Sequence, residues 1–163
     1  MNKILLLKLF MIFCFQNCLP QKIEMREKND FLEKELHVEI INYLNKISGR
    51  KTDSTKIIII NYHPGKDKCN STADKSYVNK LYIDYLEEIN LRENVTQYFI
   101  YKEVTGTKFY DKKIQWNHDK DKIIENNFFP QHYPCGSYLI IYPNGKYFIQ
   151  RGEYYIKSII GKI

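Results

Sequence analysis

Two of the four cysteines and two of the four histidines lie in short segments whose residue types could carry chemistry. His63 and Cys69 belong to the segment IIIINYHPGKDKCNST, which covers residues 57–72, and His132 and Cys135 belong to QHYPC. Thiolate and imidazole groups bind soft or borderline metals, so these four side chains form a candidate copper(I) or zinc set. The competing interpretation is that both histidines are ordinary surface residues of loops.

Two segments are similar to ion-binding loops but lack the residues that complete them. A phosphate loop of the form G-x-x-x-x-G-K-[ST] would need Gly and Ser or Thr where the chain has Ile60 and Asp67. Lys66 could still attract an anion at a helix N-terminus. The segment NHDKD alternates oxygen ligands as a calcium loop does, without the later Gly and Glu. A helix N-cap at Asn117 or Asp119 is the simpler interpretation.

The N-terminal segment, residues 1–21, has the composition of a secretory signal. Lys3 precedes an apolar run from Ile4 to Phe15 that only Lys8 interrupts. This run is shorter than the about 20 apolar residues that a bilayer-spanning helix needs. We therefore expect an exported protein that is periplasmic, in the cell envelope or secreted. A retained anchor and lipid attachment at Cys18 are the alternatives.

The charge pattern argues against nucleic-acid binding. The chain carries 25 basic and 19 acidic residues, and loss of Lys3 and Lys8 with the signal would lower its net charge from +6 to +4. Lysines alternate with acids along the remaining chain, which is typical of a solvated surface. We expect no cofactor and no nucleic acid. The expected partner is a protein outside the cytoplasm, with membrane contact only through residues 1–21 or a lipidated Cys18.

Apolar periodicity predicts a mixed α/β fold. A helix is predicted over residues 30–48, with Asp30 as its N-cap and Gly49 at its end. A central strand is predicted over 56–62. The next predicted elements are a helix over 75–93, a strand over 95–103, an irregular segment over 104–117 and a short helix over 119–129. Two strands over 137–152 are predicted about an Asn-Gly turn. The last predicted element is a C-terminal helix with Tyr155, Ile159 and Ile160 facing inward.

The predicted element order is α-β-α-β-α-β-β-α. The β-α-β unit should be parallel with a right-handed crossover, whereas the C-terminal hairpin is antiparallel. These elements predict a three-layer α/β/α sandwich with a central mixed sheet.

Two segments within residues 55–163 resemble the thioredoxin-like fold superfamily. SYLIIYPNGKYFIQRGEYYIKSII is similar to the strand, turn, strand, glycine and final helix of that family. IIIINYHPGKDKC has a similar length from a buried strand to a cysteine. The resemblance implies a thioredoxin-like domain over 55–163, preceded by an extra N-terminal helix and linker over 22–54. It places Lys66 at the position of the attacking cysteine, Cys69 at that of the resolving cysteine and Ser137 at that of the cis-proline.

The chain departs from the family at its chemical centre, because C-x-x-C is replaced by KDKC. The resemblance implies that the loop containing Cys69 faces the segment containing Cys135, so a structural disulfide between them is expected. We therefore expect a non-catalytic binding or structural module, with His63, Lys66 and Ser137 as candidate binding residues. The alternatives are a thiol-disulfide oxidoreductase that uses Cys69 and Cys135, and a copper or zinc carrier.

Overall fold

The computed structural model describes residues 26–65 and 74–163. The strands in these ranges are β1 (Glu27–Phe31), β2 (Ile57–His63), β3 (Val95–Tyr101), β4 (Trp116–His118), β5 (Ser137–Ile141) and β6 (Lys146–Gln150). The helices are α1 (Lys34–Ser48), α2 (Lys75–Asn90) and α3 (Ile123–Phe128), together with 3-10 helices at Val104–Phe109 and Ile156–Lys162. None of the described helices has the length and apolar character required to cross a bilayer.

The strands form one mixed sheet in the order β1-β6-β5-β2-β3-β4. Strand β2 is parallel to β3, and β3 is parallel to β4. Strand β5 is antiparallel to both β2 and β6, and β1 is antiparallel to β6. A parallel β-α-β unit followed by an antiparallel hairpin in the order β6-β5-β2-β3 is the thioredoxin-like arrangement. The predicted fold class is therefore confirmed.

Helices cover both faces of the sheet, which produces the predicted three layers. Helices α1 and α3 cover one face, called here the α1 face, and α2 and the C-terminal 3-10 helix cover the other, the α2 face. The α1 face buries Ile40, Leu44, Ile58, Ile60, Tyr62, Tyr98, Ile100, Phe128, Leu139 and Ile149, among others. The α2 face buries Ile59, Tyr85, Ile89, Phe99, Tyr138, Ile140, Phe148, Ile156 and Ile159, among others.

The start of the first helix differs from the prediction. Asp30 does not cap a helix, because it lies in the unpredicted edge strand β1, opposite Tyr147 of β6. Its carboxylate accepts a hydrogen bond from the Phe31 amide and pairs with Lys28. Gly49 ends α1 as predicted, with a positive φ of 67° and its amide donating to the Asn45 carbonyl. Strand β1 was not predicted because its residues are mostly polar and it forms by pairing with β6.

Two later segments also differ from the prediction. The C-terminal helix is 3-10, and Tyr155 does not face inward, because 56% of it is exposed while Ile156 takes the buried position. The segment predicted as irregular contains a 3-10 helix and β4. The short helix begins at Ile123 with Lys122 as its N-cap, so Asp119 is not the N-cap residue, although its carboxylate accepts hydrogen bonds from the amides of Ile124 and Glu125 in the first turn.

Candidate functional site

The carboxyl end of β2 is the part of the sheet where polar side chains enter the interior. Successive residues of a strand point to opposite faces, so Ile59, Asn61 and His63 share the α2 face. Asn61 and His63 are 1% and 4% exposed, which makes them buried polar groups beneath an otherwise apolar layer. Buried polar groups need hydrogen-bond partners, and the partners of Asn61 and His63 limit the ligands that these side chains can bind.

His63 is held by backbone and aromatic contacts. The Gly65 amide donates to its Nδ1 at 3.1 Å, and its carbonyl accepts from the Lys102 amide at 3.0 Å. Its ring meets Tyr110 and Trp116 edge-on, with ring centroids 5.8 and 6.1 Å away. The hydrogen bond from the Gly65 amide occupies Nδ1. A metal could reach this imidazole only through Nε2.

Gly106 allows the segment after β3 to approach His63 closely. A Cβ atom at position 106 would lie 2.2 Å from His63 Nδ1, which is far inside van der Waals contact. The sequence alone does not reveal this requirement, because Gly106 lies 43 residues after His63. The tight approach brings the 3-10 helix beside the end of β2.

The sheet register brings Ser137 and Cys135 to the same end of the sheet. Ser137 pairs with Tyr62, one residue before His63, and a Cβ atom at Gly136 would lie 3.0 Å from the Tyr62 carbonyl oxygen. Ser137 is buried, and its Oγ accepts a hydrogen bond from the Gly152 amide at 3.1 Å. Its hydroxyl therefore ties β5 to the residues after β6.

Cys135 is half-buried and has an unusual backbone conformation for its residue type. Its φ is +65°, in the left-handed region that non-glycine residues seldom adopt. Together with Gly136, whose φ is +96°, it turns the chain into β5 beside the end of β2. The thiol-bearing residue is thus placed by a turn and not by a regular element.

The other predicted site residues are His132, Lys66 and Cys69. His132 is exposed on the segment that leads to Cys135. Lys66 and Cys69 lie outside the described residues, so the predicted Cys69–Cys135 disulfide stays a prediction. Within residues 26–65 and 74–163, no three His, Cys, Asp or Glu side chains cluster in a way that could hold a metal ion.

Sequence reasoning missed a polar network on the α2 face. Asn61 Nδ2 donates to the Tyr154 hydroxyl at 2.6 Å, and Gln97 Nε2 donates to Asn61 Oδ1 at 2.5 Å. The Tyr85 hydroxyl donates to Gln97 Oε1 at 2.6 Å. Burial raises the pKa of both tyrosines, so their hydroxyls stay neutral. The available signal was the polar Asn61 immediately after four isoleucines, where a central strand normally continues apolar.

The strand order and burial define the class of this protein as thioredoxin-like, without the paired thiols of C-x-x-C. No family model matches the chain, and no curated protein matches it. Among solved structures, the chain is similar to MTB DsbF, described in its mixed oxidized and reduced forms. The sequences are 16% identical, the match covers 66% of this chain and 78% of that chain, and the TM-score is 0.47.

Proposed function

We propose that this protein is an exported thioredoxin-like module that binds a protein partner without performing redox catalysis, and that Cys69 and Cys135 form a structural disulfide. The observation that carries the proposal is the pairing of Ser137 with Tyr62, which brings the segment of Cys135 to the end of β2. In the sequence, Cys69 follows the last residue of β2 by six positions. The export part of the proposal is supported by the signal-like composition of residues 1–21.

The chain length is compatible with the proposed bond. Neighbouring strands lie about 4.8 Å apart, so the β5 end begins within one strand spacing of β2. Cys69 follows Gly65 by four residues, which can span up to about 14 Å when extended. Disulfide geometry requires Cα atoms about 4.4–6.8 Å apart, which this reach permits. In an oxidising compartment two such thiols pair.

The non-catalytic part of the proposal depends on what replaces the attacking thiol. Thiol-disulfide exchange begins with an accessible thiolate of lowered pKa. The chain has Lys66 at the matching position and a single cysteine in the loop. A lysine ammonium cannot attack a disulfide sulfur as a thiolate does, so a loop with one cysteine favours binding over redox catalysis.

Peptide mapping of the protein purified from an oxidising compartment tests the proposal. We expect a linked pair of peptides containing Cys69 and Cys135 that separates on reduction, with no insulin reduction by the intact protein. The matched variant Cys135→Ser should lose the linked pair. By loop-closure entropy, the bond should add about 4 kcal/mol to the free energy of unfolding, measured in urea with and without reductant.

Other experimental outcomes would exclude the disulfide or support one of the two alternative functions. Two free thiols in the unfolded, air-oxidised protein would show that the proposed disulfide does not form. Insulin reduction that is lost in Cys69→Ser would support the oxidoreductase and end the non-catalytic proposal. Stoichiometric copper(I) or zinc binding that is lost in both His63→Ala and Cys135→Ser would support the metal carrier.

A further inference from the structure

A cavity of about 660 Å³ lies between the first turns of α2 and the segment from residue 107 to residue 116. Helix α2 contributes Lys75 and Asn79 to its wall. The facing segment contributes apolar and aromatic groups, namely Tyr110, Ile114 and Trp116. The same Tyr110 and Trp116 rings pack against His63, so the apolar wall is supported by the buried end of β2.

The cavity carries an excess of positive charge. Lys75, Lys108 and Lys112 line it, and Asp111 is its one carboxylate among the described residues. Asp111 already accepts a hydrogen bond from the Lys113 amide at 2.8 Å. None of the three lysines forms an ion pair with another described residue. Three exposed lysines beside one carboxylate leave the lining with an excess of positive charge, which favours an anion.

Two residues that line the cavity each have a buried polar atom without a hydrogen-bond partner among the described residues. These atoms are the indole Nε1 of Trp116, which can only donate, and the amide Oδ1 of Asn79, which accepts. Unpaired buried groups are uncommon in folded proteins, and they indicate an unseen water, ion or ligand. The three ammonium groups and the indole donor favour a ligand with anionic oxygen atoms over one that only donates hydrogen bonds.

We propose that this cavity binds a small dianion attached to a planar ring, in the manner of an aryl phosphomonoester. The dianion lies among Lys75, Lys108 and Lys112 in the cavity that Trp116 also lines. The planar ring packs against Tyr110 and Ile114. None of the described residues that line the cavity belongs to the proposed disulfide, so either proposal can fail without the other.

The fluorescence of Trp116 provides a direct measurement, because it is the only tryptophan in the chain. The full chain is titrated with phenyl phosphate and excited where tyrosine does not absorb. We expect a saturable change whose affinity falls as the salt concentration rises. Inorganic phosphate, which lacks the ring, and benzyl alcohol, which lacks the charge, should each bind at least about tenfold more weakly, a difference of about 1.4 kcal/mol.

Charge-matched variants separate a site from general attraction. Lys108→Gln combined with Lys112→Gln should weaken phenyl phosphate binding about fivefold or more, on the scale of two partly exposed ion pairs. Lys34→Gln combined with Lys120→Gln removes the same charge from exposed positions outside the cavity and should change the affinity less than twofold. Asn79→Asp, which is nearly isosteric and adds a negative charge, should also weaken binding.

Three results would overturn the proposal. They are the absence of a saturable response, equal affinity for phenyl phosphate and inorganic phosphate, and equal losses in the two lysine pairs. Circular dichroism of each variant checks that the fold is retained, and the control pair keeps the comparison valid because it carries the same net charge.

Discussion

The two faces of the sheet are built differently, although both are covered by helices. On the α1 face, α1 and α3 enclose an aliphatic and aromatic layer that contains Leu44 and Ile60, both 0% exposed. The α2 face has a smaller buried layer fringed by half-buried rings, namely Tyr82, Tyr110, Trp116, Tyr142 and Tyr154. Among the described residues, the α1 face therefore buries the larger hydrophobic layer, and the α2 face has more partly buried rings at its edge.

The buried polar groups follow the same division. On the α1 face, Asp119 accepts hydrogen bonds from the Tyr43 hydroxyl and from two amides at the start of α3, so it joins two helices. On the α2 face, Asn61 and Gln97 link the sheet to Tyr154. The Asp119 hydrogen bonds hold the start of α3 against α1. The Asn61 and Gln97 hydrogen bonds instead connect side chains of neighbouring strands.

The largest expected effect compares one leucine on each covering helix. Leu44→Ala in α1 should lower the free energy of unfolding by about 2–5 kcal/mol, because its site is fully buried. Leu81→Ala in α2 should cost about 1 kcal/mol, because that side chain is only partly buried. Urea unfolding midpoints with unchanged m-values measure both. Equal losses would show that the α2 face is as tightly packed as the α1 face.

A moderate effect is expected from the polar network. Asn61→Ala leaves the Tyr154 hydroxyl without its donor and should cost about 1–3 kcal/mol. In a Tyr154→Phe background the same substitution should cost less, because one group that would be left unpaired is already absent. The double-mutant cycle is measured by urea unfolding. Additive losses would mean that the network contributes no coupling.

The smallest effect at neutral pH is expected from Tyr62→Phe on the α1 face. The Tyr62 hydroxyl is buried and has no hydrogen-bond partner among the described residues. Its removal should change stability by less than about 0.5 kcal/mol or increase it slightly. A loss above that range, measured by urea unfolding at pH 7, would reveal a partner such as a buried water.

The same variant, Tyr62→Phe, also tests how stability depends on pH in the alkaline range. Burial, aided by the Glu125 charge, raises the pKa of Tyr62 well above its usual value. The unfolded chain ionises this tyrosine above pH about 10 while the folded chain does not, so its stabilising contribution is present below that pH and is lost as the pH rises. Tyr62→Phe should therefore lose stability less steeply than the parent above pH about 10. Identical slopes would contradict the raised pKa.

Much of the fold could be predicted from local pattern. Three local patterns predict their own structure within a few residues. They are the helical spacing around Ile40 and Leu44, the four isoleucines of β2 and the Asn-Gly turn. These signals depend on side-chain period and turn chemistry, which act locally. Strand β1 escaped prediction because its polar residues form a strand only through pairing with β6.

The mixed α/β class, the β5–β6 hairpin and the residue types at the end of β2 follow from the residue pattern. The contact of Gly106 with His63, the pairing of Ser137 with Tyr62, and the cavity that Asn79 and Trp116 both line are visible only in the folded chain. These contacts join residues 37–75 positions apart in the chain. Such distant pairs are set by sheet register and helix packing, which no local period encodes.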